Sequence, residues 1–151
     1  MKTLSLLFLA LCVNFSIAQV TLIPQGATWK YDDNGSDLGS SWKDAGYNDG
    51  SWSSGPAQLG YGDGDEATTL SYGWLSSLKH PCYYFRHNFN FTGSTNGYNS
   101  IKMQLLRDDG AVVYLNGMEV ARSNMPAGNI SYGTFAEDNT GDENAFRTYY
   151  A

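Results

Sequence analysis

Residues 107–120, RDDGAVVYLNGMEV, contain the strongest fold signal in the chain. Two partly apolar segments, at residues 111–115 and 118–122, lie on either side of Asn116 and Gly117. Asn-Gly between such segments favours a tight β-hairpin, because both residues tolerate the positive φ angles of a type I′ turn. The stretch therefore predicts two antiparallel strands joined by a two-residue turn.

Short strand patterns extend from this hairpin in both directions. The clearest is at residues 82–91, where apolar and polar positions alternate and Arg86 falls on the polar face. Further strands are predicted at residues 20–23, 27–31, 58–61, 101–106 and 131–135. No segment has the period of an amphipathic helix, and turn residues separate the strand patterns. The sequence therefore predicts an all-β fold, an antiparallel β-sandwich.

A polar, glycine-rich stretch at residues 35–55 interrupts the strand patterns. It contains Trp42, Tyr47 and Trp52 at wide spacing. Disordered segments are depleted in aromatic residues. We therefore predict an ordered loop that these rings hold in place.

The chain begins with the features of a secretory signal peptide. Lys2 supplies a positive charge, and residues 4–13 form an apolar segment too short to span a bilayer. Small residues at 16 and 18 lead us to expect cleavage after Ala18, which leaves residues 19–151 as one secreted or cell-surface domain. Cys82 is the one cysteine beyond that point, so an internal disulfide is not available.

The charge balance narrows the choice of partners. Fifteen acidic residues against nine Lys and Arg give a formal net charge of -6. A nucleic-acid or anionic membrane surface would require clustered Lys and Arg, and no later segment is apolar enough for a membrane span. We expect neither partner, whereas cations and neutral glycans are compatible with this charge.

The hairpin motif at 107–120 resembles that of galactose-binding-domain-like jelly rolls attached to exported bacterial enzymes. A narrower resemblance, to one module of secreted Bacteroidetes proteins, extends over nearly all of residues 19–151. It rests on the motifs LIP with Gly26 (22–26), WKY (29–31), SW (51–52), LGYGDGDE (59–66), YFR (84–86) and NMP (124–126).

The resemblance implies a jelly-roll sandwich that is a non-catalytic accessory module of a larger exported protein. In that family the module often precedes a calcineurin-like or purple-acid-phosphatase-like metallophosphoesterase domain, and it also occurs beside sorting domains. Carbohydrate binding or packing against a hydrolase domain is the implied role. The alternatives are a ligand-free structural spacer and a free-standing calcium-dependent glycan-binding protein. The family's two final strands have no counterpart before Ala151, so we expect a fragment that lacks its closing strands.

Asp63, Asp65 and Glu66 form the candidate calcium site on a glycine-rich turn. Calcium binds several carboxylate and carbonyl oxygens supplied by flexible loops, although the later ligands of an EF-hand loop are absent. The alternative is a solvated acidic turn whose carboxylates accept hydrogen bonds from nearby backbone N–H groups.

Arg107, Asp108 and Asp109 are candidate ligand-binding residues at the start of the hairpin. A resemblance to the anthrax protective-antigen-like adhesin domain, in which a similar Asp-Asp-Gly hairpin helps to hold calcium and sugar, implies that role. The structural alternative is that Asp109 and Gly110 form a turn while Asp108 pairs with Arg107 or caps the backbone.

Trp74 lies in the least regular stretch of the sequence and is the aromatic residue that we predict to be exposed. Its ring could stack on a pyranose, whereas most other aromatic side chains are expected to cover the sandwich. The sequence contains no nucleophile elbow, phosphate-binding loop or zinc motif, and nothing in it sets the carboxyl separation of a glycosidase. We therefore expect no catalytic residue in this chain.

Overall fold

The computed structural model describes residues 19–138 and 145–151. The predicted signal peptide, residues 1–18, lies outside them. The described residues contain no α-helix, so the all-β prediction is confirmed, and none forms a helix able to cross a membrane. The strands are β1 (Thr28–Asp32), β2 (Ser53–Pro56), β3 (Leu59–Gly60), β4 (Thr68–Thr69), β5 (Tyr84–Arg86), β6 (Lys102–Leu105), β7 (Ala111–Leu115), β8 (Met118–Ser123) and β9 (Arg147–Tyr150).

The predicted hairpin is confirmed. Strands β7 and β8 pair in antiparallel fashion, with Leu115 opposite Met118. The turn residues Asn116 and Gly117 have φ angles of 50° and 83°, as a type I′ turn requires. The register shifts between Val113 and Tyr114, because Val120 of β8 is an extra residue between their partners Ala121 and Glu119.

The largest sheet has three antiparallel strands in the order β2-β1-β5. Trp29 of β1 lies opposite Gly55 of β2, and Tyr31 lies opposite Phe85 of β5. Gly55 is buried, and a Cβ atom there would lie 2.3 Å from the Thr68 hydroxyl oxygen. Only glycine therefore allows β2 and β4 to approach so closely.

Three two-stranded sheets complete the described structure. Strand β6 pairs with β9, and β7 pairs with β8, both in antiparallel fashion, whereas β3 and β4 are parallel. The buried apolar core of the described residues is small, consisting of Leu70, Tyr84 and Ala121. The jelly-roll arrangement of these sheets stays a prediction.

Three of the predicted strands differ in the structure. The strand at 82–91 shortens to Tyr84–Arg86, and Arg86 is buried rather than outward-facing, because an acidic partner compensates its charge. Residues 20–23 form no strand, and the chain bends after Pro24, whose carbonyl accepts a hydrogen bond from Ala27. Residues 131–135 form a turn closed by hydrogen bonds between Ser131 and Thr134.

The loop at 35–55 is ordered, as predicted, and its aromatic rings attach it to the sheets. Trp42 contacts Tyr84 of β5 and Tyr114 of β7, with ring centroids 5.0 and 5.7 Å apart. Tyr47 and Trp52 contact each other at 5.7 Å.

A largely buried charge network adds a polar attachment for this loop. Arg86 donates from Nε to Asp49 Oδ2 at 2.9 Å and from Nη1 to the carbonyls of Trp42 and Asp44. Lys30 of β1 also donates to the Asp49 carbonyl oxygen at 2.7 Å. The side chains of Arg86 and Asp49 are only 8% and 13% exposed, so their hydrogen bonds replace most of the water that they would otherwise bind.

Candidate binding surface

The acidic turn between β3 and β4 brings its three carboxylates together. One oxygen from each of Asp63, Asp65 and Glu66 lies within 4.8 Å of the other two. That spacing is compatible with oxygens around one calcium ion, because each Ca–O distance is about 2.3–2.6 Å. Three carboxylates provide only part of a calcium shell of about six to eight oxygens, so backbone carbonyls or water would have to supply the rest.

Hydrogen bonds already hold this turn together. The two carboxylate oxygens of Glu66 accept hydrogen bonds from the backbone N–H groups of Asp63 and Gly64, each at 3.0 Å. The bond from Asp63 is the main reason why the pKa of Glu66 is lowered. Asp65 accepts a hydrogen bond from the Gln58 side chain at 3.2 Å. These bonds are those expected of a solvated acidic turn, and the calcium site stays a prediction.

The second acidic turn lies between β6 and β7. Arg107 donates from Nε to the Ser123 hydroxyl at 2.9 Å, which ties this turn to β8. The carbonyl of Asp109 accepts a hydrogen bond from the Asn124 side chain at 3.0 Å. The backbone of this turn is therefore fixed, while the Asp108 residue is exposed to solvent.

Asp63 in the first turn lies near enough to Asp108 in the second turn for its charge to act on the Asp108 carboxyl group. Although residue 108 is exposed as a whole, partial burial of its carboxyl group is the largest cause that raises the pKa of Asp108, followed by the neighbouring Asp109 carboxylate and then the charge of Asp63. The ammonium group of Lys79 acts in the opposite direction. Lys79 was not singled out from the sequence, since a lysine in an irregular stretch carries no pattern.

Three tyrosine rings cluster at the start of the first acidic turn, where Tyr61 precedes Asp63 by two residues. The ring of Tyr61 is 5.3 Å from that of Tyr72 and 5.9 Å from that of Tyr83, and Lys79 Nζ lies 4.9 Å from the Tyr61 centroid. The Tyr83 hydroxyl is buried and has no hydrogen-bond partner among residues 19–138 and 145–151. Burial and the neighbouring Tyr61 hydroxyl raise the pKa of Tyr83 well above its usual range.

An exposed apolar loop follows Tyr72. Trp74 is 101% exposed, which confirms its predicted exposure, and Leu75 and Leu78 are 60% and 72% exposed. A backbone bridge between Leu75 and Leu78 closes the loop. The surface thus presents a bare indole ring and two leucines, a set of side chains that usually contacts a partner when it is contiguous.

The predicted binding residues therefore divide into two groups. The carboxylates at 63–66 and the turn at 107–109, in which the charge of Asp63 acts on Asp108, form one group, and Trp74, which projects from the loop after Tyr72, forms the other. Carboxylate oxygens can accept hydrogen bonds from a ligand, and the indole offers a flat apolar face. No protein-family model, curated protein or solved structure matches the chain.

Proposed function

We propose that this chain is a non-catalytic, exported module of the galactose-binding-like kind. It binds carbohydrate through residues 73–78, which we call the Trp74 loop. The fully exposed indole of Trp74 is the observation that carries the proposal. The other three tryptophans are each partly covered and contact another ring. Trp74 alone among them leaves its whole ring available to a ligand.

Sugar recognition combines an apolar platform with polar groups that fix orientation. An aromatic face packs on the C–H face of a pyranose, and carboxylates accept hydrogen bonds from its hydroxyls. Tyr72, itself 40% exposed, lies at the base of the loop beside Tyr61. The acidic turns at 63–66 and 108–109 supply the acceptors in this proposal. Calcium, if bound at Asp63, would add a further site for sugar hydroxyls.

A second role, packing against a hydrolase domain of the same exported protein, is favoured by the two leucines. Leu75 and Leu78 extend the apolar surface beyond the indole ring. A protein partner would bury all three side chains, whereas a sugar ring needs only Trp74. The two roles therefore differ in their sensitivity to Leu78.

Retention on insoluble polysaccharides and binding to a glycan array test the carbohydrate role. We expect Trp74→Ala to weaken glycan binding by about tenfold or more, the effect of removing a central aromatic contact. Phe135→Ala is the matched control, because Phe135 is a 70% exposed aromatic residue outside the loop.

Three results would redirect the proposal. Retention on no glycan, or equal retention of the Trp74→Ala variant, would refute carbohydrate binding by this loop. Binding of a hydrolase domain that both Trp74→Ala and Leu78→Ala abolish would favour the packing role. Catalytic turnover that Asp65→Asn or Asp108→Asn abolishes would refute the non-catalytic proposal.

A further inference from the structure

An open pocket of about 300 Å³ lies beside the β7–β8 hairpin and includes none of the residues of the Trp74 loop or the acidic turns. Three segments form its walls: a short 3₁₀ turn at Ser41–Lys43, the hairpin, and residues 128–130. A Cβ atom on Gly117 would lie 3.9 Å from the Lys43 carbonyl, so the tip of the hairpin packs against the 3₁₀ turn. The hairpin turn thereby places Lys43 at the pocket.

Arg122 of β8 is held rigidly in the pocket wall. Its Nε and Nη2 atoms donate to the two oxygens of Glu119 at 2.8 and 2.7 Å. Nη2 also donates to the Gly128 carbonyl at 3.0 Å, and Nη1 donates to the Pro126 carbonyl. A guanidinium group has five N–H donors, so these four bonds leave one N–H of Nη1 for a ligand.

Lys43 is the second cation of the pocket, and its hydrogen-bonding capacity is unused. Its Nζ atom lies 4.6 Å from the centroid of the Tyr114 ring, a cation–π contact. Within the described part of the chain it has no ion pair and no hydrogen-bond acceptor. An ammonium group has three N–H donors, and those that point away from the Tyr114 ring are available to a ligand.

The side chains that line the pocket carry fewer negative charges than positive charges. Two cations face one carboxylate, and both oxygens of that carboxylate, Glu119, are bonded to Arg122. The Asp44 carboxylate approaches Gly117 but does not line the pocket. A ligand with a negatively charged group would therefore complement the remaining cation, Lys43.

We infer that this pocket binds an anionic group, a carboxylate or a sulfate ester, on a ligand the size of a single sugar ring. Lys43 and the free N–H of Arg122 bond the anion, and Tyr114 forms the apolar wall. The volume of about 300 Å³ is at the lower end of the range for small-molecule sites. The inference does not rest on the Trp74 loop, because no residue of that loop contributes.

Binding of three monosaccharides to the purified protein tests this inference. Galacturonate carries a carboxylate, galactose 6-sulfate carries a sulfate ester, and galactose carries neither. We expect one or both acids to saturate the protein in an NMR or calorimetric titration, and galactose to bind at least tenfold more weakly. Added salt should weaken acid binding, since Lys43 is only partly buried.

Substitution of Lys43 identifies the site. Lys43→Met should weaken acid binding about tenfold or more, as expected for loss of charged hydrogen bonds, whereas Lys43→Arg should retain most of it. Lys102→Met is the matched control, because Lys102 is an exposed lysine on β6 outside the pocket. An unchanged thermal transition would show that Lys43→Met is folded.

The outcomes are distinct. Saturation by galacturonate alone identifies a carboxylate site, and saturation by galactose 6-sulfate alone identifies a sulfate site. Saturation by neither acid, equal binding of galactose, or full binding by Lys43→Met would each overturn the inference. None of these results depends on whether Trp74 binds a glycan.

Discussion

Replacing Arg86 by methionine removes the main polar attachment between the loop at 35–55 and strand β5. Methionine keeps much of the apolar stem but removes the donors to Asp49 and to the carbonyls of Trp42 and Asp44. Loss of one partner from a buried ion pair costs about 3–5 kcal/mol. In the variant, Asp49 would still form its ion pair with Lys30, whose side chain is 37% exposed. We therefore expect the free energy of unfolding to fall by an amount near the lower limit, about 3 kcal/mol.

Equilibrium unfolding in urea measures this loss directly. A domain of this size has a total stability of about 5–15 kcal/mol, so the variant should unfold at a clearly lower urea concentration. Its thermal midpoint should fall by roughly 10 °C. Lys102→Met, which also removes one positive charge, should change the free energy of unfolding by less than about 0.5 kcal/mol.

A double-mutant cycle with Asp49→Asn separates the ion pair from the carbonyl contacts. We expect the double substitution to lower the free energy of unfolding by less than the sum of the two single substitutions, with a coupling energy of about 1–3 kcal/mol. A loss below about 1 kcal/mol for Arg86→Met, or additive effects in the cycle, would refute the assignment of this network as a stabilising attachment.

Two further predictions concern carboxylates. The hydrogen bond from Arg86, followed by the contacts with Lys30, lowers the pKa of Asp49 in the folded state. The ionised Asp49 carboxylate therefore stabilises the fold fully above the ordinary carboxyl pKa of about 3.9, and this stabilisation is lost as the pH falls further. Asp49→Asn should flatten the acid limb of a plot of unfolding free energy against pH. Parallel curves for the two proteins would contradict this. If Asp63, Asp65 and Glu66 hold calcium, the ion at about 100 times its Kd should raise stability by about 2.7 kcal/mol. A chelator should reverse that gain, and Asp63→Asn should abolish it. Asp37→Asn, at an exposed aspartate outside this turn, is the control and should not. A melting curve unchanged by chelator and by calcium would refute the site.

Local patterns predicted the parts of the fold that depend on neighbouring residues. The Asn116-Gly117 turn was found because the positive φ angles of such a turn admit few residue types. Strands β1 and β6 coincide closely with the predicted segments at 27–31 and 101–106. The exposure of Trp74 followed from its position in a stretch without a strand pattern.

Contacts between distant residues could not be predicted in this way. The burial of Arg86 depends on Asp49, 37 residues earlier, and alternation within β5 assigned that arginine to the outer face. The effect of Asp63 on Asp108 and the presence of Lys43 and Arg122 in one pocket likewise depend on residues from segments that are distant in sequence. Single-sequence periodicity contains no information on which loops meet, so these sites became visible only in three dimensions.

The distribution of the four tryptophans gives the protein two separate fluorescence reporters. Trp29, Trp42 and Trp52 contact His87, Tyr84 and Tyr47, so their emission follows the integrity of the sheets and the attached loop. Trp74 is surrounded by water, so its emission lies at longer wavelength and a quencher such as acrylamide reaches it without unfolding. Selective quenching therefore distinguishes a ligand that covers the exposed loop from one that changes the fold, without any attached dye.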